Sequence, residues 1–228
     1  MFIKHYLYDV EAMKEAALIS ELVKPLRGIY PRFTMYHVYL ILIELLKNQP
    51  LGRQALMKKT GLGEASIKTL TKRLREKELI MVDRVAGVLL TDAGKRIAEY
   101  IGSYIQLLGY LPIEELCEGD YIGFGVGLKE GINAVKHYGG PLAVRDCIVR
   151  YGAEGALVMY LINSKLYLPT PIKLEELTGV REIHDAIRRY ETLKNGDAIL
   201  ISICKSGDDN CPSYVVNAVI EVLGRVGC

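Results

Sequence analysis

The stretch Leu51–Gly94 constrains the fold of this chain more than any other part of the sequence. Residues Arg53–Thr60 predict a short helix, and a second helix is predicted to open at Glu64. The Gly-Leu-Gly sequence at 61–63 suits a tight turn between two helices at a steep angle, because glycine adopts backbone conformations that other residues avoid. The stretch therefore predicts a helix-turn-helix.

The second helix of this pair has two different faces. Ile67, Leu70 and Leu74 recur at a helical spacing and predict a buried face. The opposite face carries small and basic side chains, namely Ala65, Lys68, Thr69 and Lys72. A recognition helix has this arrangement, since one face closes a small core while the other meets the major groove. The alternative is an ordinary helical hairpin whose charges form a solvated face.

The residues after the second helix predict a small β-hairpin and a further helix. The helix passes into Leu79-Ile80, and Met81–Leu90 predicts two short strands around the turn at 85–87, which has the size of a β-wing. Thr91 is a plausible N-cap for a helix that is expected to continue to about Leu108.

Residues 35–101 resemble a winged helix-turn-helix domain of the multiple-antibiotic-resistance and arsenic-resistance repressor families. The resemblance rests on an apolar core set and on the closing Leu-Thr-Asp-Ala-Gly sequence at 90–94; the core set is Leu56, Leu62, Ile67, Leu70, Leu74, Leu79 and Ile80. Two positions depart from the family pattern. Gly63 stands where Ser or Thr often caps the recognition helix, and Glu78 stands where Gly usually precedes the wing.

The charge of the chain is unevenly distributed. Residues 50–96 carry 11 basic and 5 acidic side chains, which gives +6, whereas residues 97–228 carry 12 and 17, which gives −5. The positive charge therefore coincides with the predicted helix-turn-helix, as expected if that part meets phosphates and the remainder does something else.

Several classes of protein are disfavoured by the sequence. No apolar run reaches about 18 residues, and the N-terminal residues lack a signal-peptide pattern, so we expect a cytoplasmic protein without a membrane partner. Five scattered cysteines without a CxxC pair indicate neither a disulfide framework nor a zinc site, although Cys204 and Cys211 flank a loop and could pair under oxidation. We expect no metal and no cofactor.

Two further helices suggest how copies of the chain could associate. Tyr8–Arg27 predicts an N-terminal helix that packs either on a partner subunit or on its own domain. An apolar stripe after the wing is predicted either to carry a homodimer or to dock the second domain; its residues are Ile97, Ile101, Tyr104, Ile105 and Leu108.

The sequence predicts mixed α+β or α/β architecture in two parts. Residues 1–108 form an N-terminal winged helix-turn-helix domain, and residues 109–228 form a small C-terminal α/β layered domain, with the boundary at Gly109-Tyr110-Leu111-Pro112. In the second part four strands are expected to alternate with helices, and Leu174–Leu193 is expected to be mostly helical.

The second part offers only weak signals for a binding site. Gly123, Gly125 and Gly127 follow a predicted strand and either line a small-ligand pocket or serve as turn residues. Arg145 could hold a carboxylate or phosphate of a small-molecule effector, or form a surface ion pair with Asp146.

This part also resembles the C-terminal α/β domain of uncharacterised archaeal regulators that begin with a winged helix. The resemblance rests on the segment 127–132, on Arg145-Asp146 followed by residues 152–156, and on a hairpin that ends at Leu168-Pro169. It implies a partner domain and no particular activity.

The resulting hypothesis is a DNA-binding transcriptional regulator without enzyme activity. The residues expected nearest the bases of double-stranded DNA are Glu64, Ala65, Ser66, Lys68, Thr69 and Lys72. The residues expected to meet phosphates are Arg53, Lys58, Lys59, Arg73 and Arg75, with Arg84 of the wing reaching the backbone or minor groove. A homodimer would place two recognition helices about 34 Å apart. Two alternatives are a protein-interaction module of a larger assembly and an enzyme in the C-terminal domain.

Overall fold

A computed structural model describes residues 16–26, 28–114, 116–170, 172–178, 180–190 and 192–225. The chain divides into two compact units between Ser103 and Tyr104. The predicted boundary at Gly109 was five residues too late, because residues 109–111 belong to a strand of the second unit. Each unit is described separately below.

In its described residues the first unit contains four helices and one short hairpin after an initial helical segment at 16–22. The elements are α1 (Met35–Asn48), α2 (Arg53–Thr60), α3 (Glu64–Glu76), β1 (Ile80–Asp83), β2 (Gly87–Leu90) and α4 (Asp92–Tyr104). The predicted N-terminal helix Tyr8–Arg27 lies partly outside the described residues, and its described portion ends at 22 rather than at 27.

Side chains at the helix ends explain where α1 and α4 begin. At the start of α1 the backbone N–H of Thr34 donates to Nδ1 of His37 at 3.0 Å, and burial lowers the pKa of that imidazole. At the start of α4 the hydroxyl of Thr91 accepts the N–H of Gly94 at 3.0 Å and donates to the carbonyl of Glu78 at 2.6 Å. Thr91 is thus the predicted N-cap and also ties α4 to the end of α3.

The end of α3 explains the departure at Glu78. The N–H of Leu79 donates to the carbonyl of Leu74, and the N–H of Glu78 donates to that of Arg75. This is a Schellman motif, which needs a residue with positive φ just after the helix. Glu78 occupies that position with φ 57°, a left-handed conformation that glycine adopts most readily.

The apolar stripe predicted to carry a homodimer is used differently. Ile97 and Ile101 are buried within the chain, and α4 ends at Tyr104 rather than at Leu108. Ile105 and Leu108 belong to the first strand of the second unit, where both are buried. The stripe therefore offers no free surface to a second copy.

The second unit is built on a six-stranded sheet that is antiparallel throughout. The strands, in the spatial order β3-β4-β8-β5-β6-β7, are β3 (Ile105–Leu111), β4 (Tyr121–Leu128), β5 (Gly155–Ile162), β6 (Lys165–Pro169), β7 (Leu174–Glu176) and β8 (Ala198–Lys205). The helices are α5 (Gly131–Tyr138), α6 (Pro141–Arg150), α7 (Arg181–Arg188) and α8 (Cys211–Arg225). This places the unit in the α+β class rather than in the predicted α/β arrangement.

Two strands of this unit were not predicted, and two predicted helices are shorter than expected. The residues expected to form a linker helix continue into β3, and β7 with α7 replaces the mostly helical segment predicted for Leu174–Leu193. Strands β3 and β7 lie at the two edges of the sheet. Their apolar pattern is weaker than that of β8, which is buried except at its last residue. The hairpin between β5 and β6 turns at Asn163-Ser164, with positive φ at both residues.

The two faces of the sheet have different covers. One face contributes alternate residues such as Met159, Ile199 and Ile201 to a core that includes Ile183 of α7. On the other face the hydroxyl of Ser202 donates to the carbonyl of Cys211 at 2.8 Å, which anchors α8 there. A disulfide between Cys204 and Cys211 joins β8 to α8, so the pairing considered from the sequence is present. None of the helices in the described residues is long and apolar enough to cross a bilayer.

Candidate nucleic-acid interface

The most open feature of the first unit is one face of α3. The helix starts after Gly63, and its inner face is anchored by Ile67, Leu70 and Leu74, all fully buried. The residues predicted to face a major groove are on the outer side; the exposed ones are Ala65, Lys68, Thr69 and Lys72. Exposure follows from the spacing, because 100° per residue separates these positions from the buried stripe.

The first residues of α2 and α3 are joined by an ion pair. Nη1 of Arg53 donates to Oε1 of Glu64 at 2.7 Å, and both side chains are more than half exposed. An exposed pair of this kind contributes less than about 1 kcal/mol to the stability of the fold. Arg53 could therefore leave Glu64 and bind another anion at little cost. Ser66, also expected near the bases, is only half exposed.

Other basic side chains surround this helix. Lys58 and Arg75 are exposed. Lys59 pairs with Glu44 of α1 at 2.9 Å, and Lys72 lies 3.7 Å from Glu76 in the next turn of α3. All of these ammonium and guanidinium groups remain accessible from solvent, as phosphate contacts require.

Arg73 is the exception, and the prediction that it meets phosphates was wrong. Its side chain is 9% exposed and turns inward. Nη1 donates to the carbonyls of Leu22 at 2.6 Å and Lys24 at 2.8 Å, and the guanidinium lies over the ring of Phe33 at 5.3 Å. Arg73 therefore holds the N-terminal helical segment in place and is not free to bind a partner.

The tip of the hairpin presents one basic and one apolar side chain. Oδ1 of Asp83 accepts the N–H groups of Val85 at 2.7 Å and Ala86 at 2.6 Å, and these bonds hold the pKa of Asp83 below its ordinary value. The turn is thereby fixed, and Arg84 is exposed at its tip beside Val85, which is 97% exposed.

A groove of about 690 Å³ separates the hairpin from the two helices. Arg53 and Glu64 lie along one wall, Arg84 lies along the other, and the half-buried Thr71 of α3 lines it between them. Of the residues predicted to meet DNA, the groove is lined by Arg53, Glu64 and Arg84, whereas Lys68, Thr69 and Lys72 lie outside its lining.

The glycines predicted to line a ligand pocket have a packing role. Gly123, Gly125 and Gly127 follow one another on a single face of β4. A Cβ atom at these positions would come within 2.4–2.5 Å of the side chains of Ile113, Leu111 and Leu193, respectively; the space over the glycines is therefore already filled by apolar side chains.

Arg145 lies in a different place from the glycines. It is on α6, which contacts β5 and α8 on the face of the sheet that carries Ser202. Its Nη2 lies 3.3 Å from Oδ1 of Asp146, and both side chains are more than half exposed. The structure therefore shows the surface ion pair that was the alternative to an anion site.

A polar cluster in the second unit was missed by the sequence analysis. Oε1 of Glu221 accepts the hydroxyl of Tyr138 at 2.7 Å and Nη2 of Arg150 at 2.8 Å, while Oε2 accepts the hydroxyl of Tyr151 at 2.8 Å. Burial by itself would raise the pKa of Glu221, but these donors outweigh burial and hold the pKa below its ordinary value. The partners are about 70 to 80 residues apart, so no sequence signal marks them.

The same cluster includes a free thiol. Cys147 of α6 is fully buried, and burial raises its pKa. Because α5, α6 and α8 each contribute to the cluster, it fastens the three helices of this layer to one another. Among the described residues there is no group of three or more His, Cys, Asp or Glu side chains that could hold a metal ion.

Comparisons with known proteins extend over both units but give no activity. A family model described as a domain of unknown function, DUF4443, matches residues 122–221. The solved structure of a hypothetical protein, PH0730, from Pyrococcus horikoshii OT3 is similar with a TM-score of 0.53 and 23% identity, over 84% of this chain and 91% of that chain. No curated protein matches the sequence. At this identity the likeness concerns the fold alone.

Proposed function

We propose that this chain binds double-stranded DNA through its first unit, as a transcriptional regulator of the winged helix-turn-helix type. Helix α3 enters the major groove, and the hairpin β1-β2 acts as the wing. The observation that carries the proposal is the outer row of α3, where Lys68 and Lys72 alternate with the small side chains of Ala65 and Thr69 on a fully exposed face.

The order of elements supports this proposal. Two helices joined by a tight turn, of which the second is followed directly by a two-stranded hairpin, have the layout of a winged helix. Gly61 makes the turn with φ 70°, and an isolated bridge between Leu51 and Val88 places a third extended segment beside the hairpin. The groove between the hairpin and the helices is lined by Arg53 of α2 and by Arg84 of the hairpin.

The roles of individual residues follow from their positions. Lys68, Thr69 and Lys72 face the bases, and exposed Lys58, Arg75 and Arg84 meet phosphates. Arg53 reaches a phosphate by leaving Glu64, whose carboxylate is then free to accept a hydrogen bond from a cytosine amino group. We assign no chemistry to the second unit, which serves assembly rather than catalysis or ligand binding.

The test measures binding of the full chain to duplex DNA by fluorescence anisotropy across a salt titration. We expect the affinity of the unaltered chain to fall steeply with salt, since phosphate neutralisation releases counterions. The double variant Lys68→Ala/Lys72→Ala should lose at least about tenfold in affinity at low salt. Duplexes from the region upstream of its own gene and of random sequence then separate specific from non-specific binding.

A matched control removes the same charge elsewhere in the unit. Lys95 and Arg96 are exposed on α4, so Lys95→Ala/Arg96→Ala lowers the net charge equally without touching α3. We expect this control to bind within about twofold of the unaltered chain. Absence of binding at low salt, or equal losses in both double variants, would contradict the groove-reading role of α3.

A second candidate function is docking onto another protein, and the wing favours it. Met81 and Val82 of β1 are 55% and 50% exposed, and Val85 at the tip is almost fully exposed. Apolar side chains at these positions would contribute more to a protein interface than to a phosphate backbone. Val85→Lys adds a positive charge, which should raise DNA affinity if the wing tip meets the phosphate backbone; an unchanged DNA affinity would point to this alternative.

A further inference from the structure

Helix α6 leaves one complete face without a partner in the described part of the chain. Val144, Cys147 and Ile148 are fully buried on its inner side. On its outer side Leu142 is 58% exposed and Val149 is 39% exposed. These two apolar side chains are seven residues apart, which places them on the same face of a helix two turns apart.

The residues between them complete a symmetric row. Arg145 and Asp146 lie on the same outer face, both exposed. Leu142 stands three residues before Arg145, and Val149 stands three residues after Asp146. From its N-terminal end the row therefore runs apolar, basic, acidic, apolar. From its C-terminal end the order is apolar, acidic, basic, apolar.

We propose that this row, Leu142-Arg145-Asp146-Val149, is the surface through which two copies of this chain associate. A twofold axis between Arg145 and Asp146 pairs the helices antiparallel. Arg145 then meets the partner's Asp146, Leu142 meets the partner's Val149, and each contact occurs twice. A symmetric dimer requires such a self-complementary surface.

The charges identify a second copy as the occupant. A nucleic acid would be repelled by Asp146, and a peptide of one charge sign would meet one of the two central residues with the wrong sign. Exchange of the ion pair within one chain for the pairs between chains costs little, because both side chains are more than half exposed in the single chain and their pair contributes little there. Burial of the two apolar ends supplies the net attraction.

The size of the row sets the strength of association. The helix has 10 residues and is therefore about 15 Å long. A contact along one face of a helix this short buries less area than the roughly 800 Å² per partner that stable dimers bury, so we expect a concentration-dependent dimer with a dissociation constant on the order of micromolar. The proposal concerns the second unit and does not rest on DNA binding.

The test exchanges charges in the full chain and follows mass by sedimentation equilibrium without DNA. In the dimer of Arg145→Asp, the new carboxylate of each copy faces the carboxylate of Asp146 in the other copy. In the dimer of Asp146→Arg, the new guanidinium of each copy faces that of Arg145 in the other copy. We expect each variant alone to associate at least about tenfold more weakly than the unaltered chain. An equimolar mixture of the two variants should form a heterodimer, because every facing pair is then opposite in sign.

Two controls separate the surface from general effects of charge. Lys129→Asp changes the net charge as Arg145→Asp does, at an exposed loop position outside the row, and should dimerise like the unaltered chain. Circular dichroism of each variant establishes that it is folded. A monomeric unaltered chain at about 200 micromolar, a dimeric Arg145→Asp, or a mixture that stays monomeric would each overturn the proposal.

Discussion

Two sets of charged side chains, one in each unit, are used in opposite ways. In the first unit both side chains of the Arg53–Glu64 pair and of the Lys72–Glu76 pair are more than half exposed. In the second unit Glu221 has a side chain only 18% exposed, and three donors from two other helices surround its carboxylate. Exposed pairs contribute little to stability, whereas a half-buried, fully bonded carboxylate contributes substantially.

The difference indicates where a partner can bind. Charges that contribute little to the fold can change partners at small cost, and those of α3 have this freedom. Charges that hold helices together do not, and the cluster around Glu221 therefore belongs to the scaffold. Arg73 shows that the distinction applies residue by residue, since it lies on the same helix as Lys68 and Lys72 but behaves as scaffold.

The largest effect should follow from breaking the scaffold cluster. We expect Glu221→Gln to lower the free energy of unfolding by about 2–3 kcal/mol, because the tyrosine hydroxyls and Arg150 lose a charged acceptor. Urea denaturation followed by circular dichroism measures the loss. Asp209→Asn removes an exposed carboxylate from the same unit and should change stability by less than about 0.5 kcal/mol.

The pH dependence of the same variant checks the assignment. The pKa of Glu221 is lower when folded than its ordinary value of 4.5, so its stabilisation is present above that value and is lost as pH falls through the folded pKa. The stability difference between Glu221→Gln and the unaltered chain should therefore shrink on acidification below about pH 4.5. A difference that stays constant with pH would contradict the role of the charge.

A smaller effect separates the two kinds of charge on α3. We expect Arg73→Met to lower the free energy of unfolding by about 2 kcal/mol, because the carbonyls of Leu22 and Lys24 lose their donor. Lys68→Met should stay within about 0.5 kcal/mol of the unaltered chain. Thermal and urea denaturation of both variants makes the comparison.

The effects of these two variants on DNA binding should be in the reverse order of their effects on stability. Below its melting temperature Arg73→Met should keep the salt dependence of DNA binding, whereas Lys68→Met should reduce the salt slope by about 1. If Arg73→Met instead lost a phosphate contact while remaining fully stable, the assignment of Arg73 to the scaffold would be wrong.

The smallest effect concerns backbone conformation at an exposed charge. Glu78 has φ 57°, which costs a non-glycine residue roughly 1 kcal/mol or more. Glu78→Gly should therefore raise the free energy of unfolding by about 1 kcal/mol, as measured by urea denaturation. Glu78→Gln removes the charge but keeps the strain, and equal stabilisation by both variants would show that charge rather than backbone conformation is responsible.

The helices of the first unit were predictable because their signals are local. Gly61, Gly63 and Thr91 fixed where α2, α3 and α4 begin or end within one residue of the observed bounds. Periodicity also identified which side chains of α3 are exposed. It misassigned Arg73, since a guanidinium on the border of a helix face turns inward only if distant carbonyls are present to receive it.

The second unit was less predictable because its signals are long-range. Strand β8 is a nearly continuous apolar run, whereas β3 and β7 lie at the sheet edges and carry mixed patterns. The glycines of β4 predicted a ligand pocket or a turn, yet their role depends on Ile113, Leu111 and Leu193, whose positions no local pattern reveals.

The sequence by itself determined the helix-turn-helix pattern, the exposed face of α3 and the separation of charge between the two halves, because each depends on neighbours a few residues away. Only the tertiary structure decided that the second sheet is antiparallel, that Arg73 and Glu221 hold the scaffold, and that α6 keeps a self-complementary face. Each of these depends on which distant segments meet. Packing selects those contacts from many that the local pattern would allow.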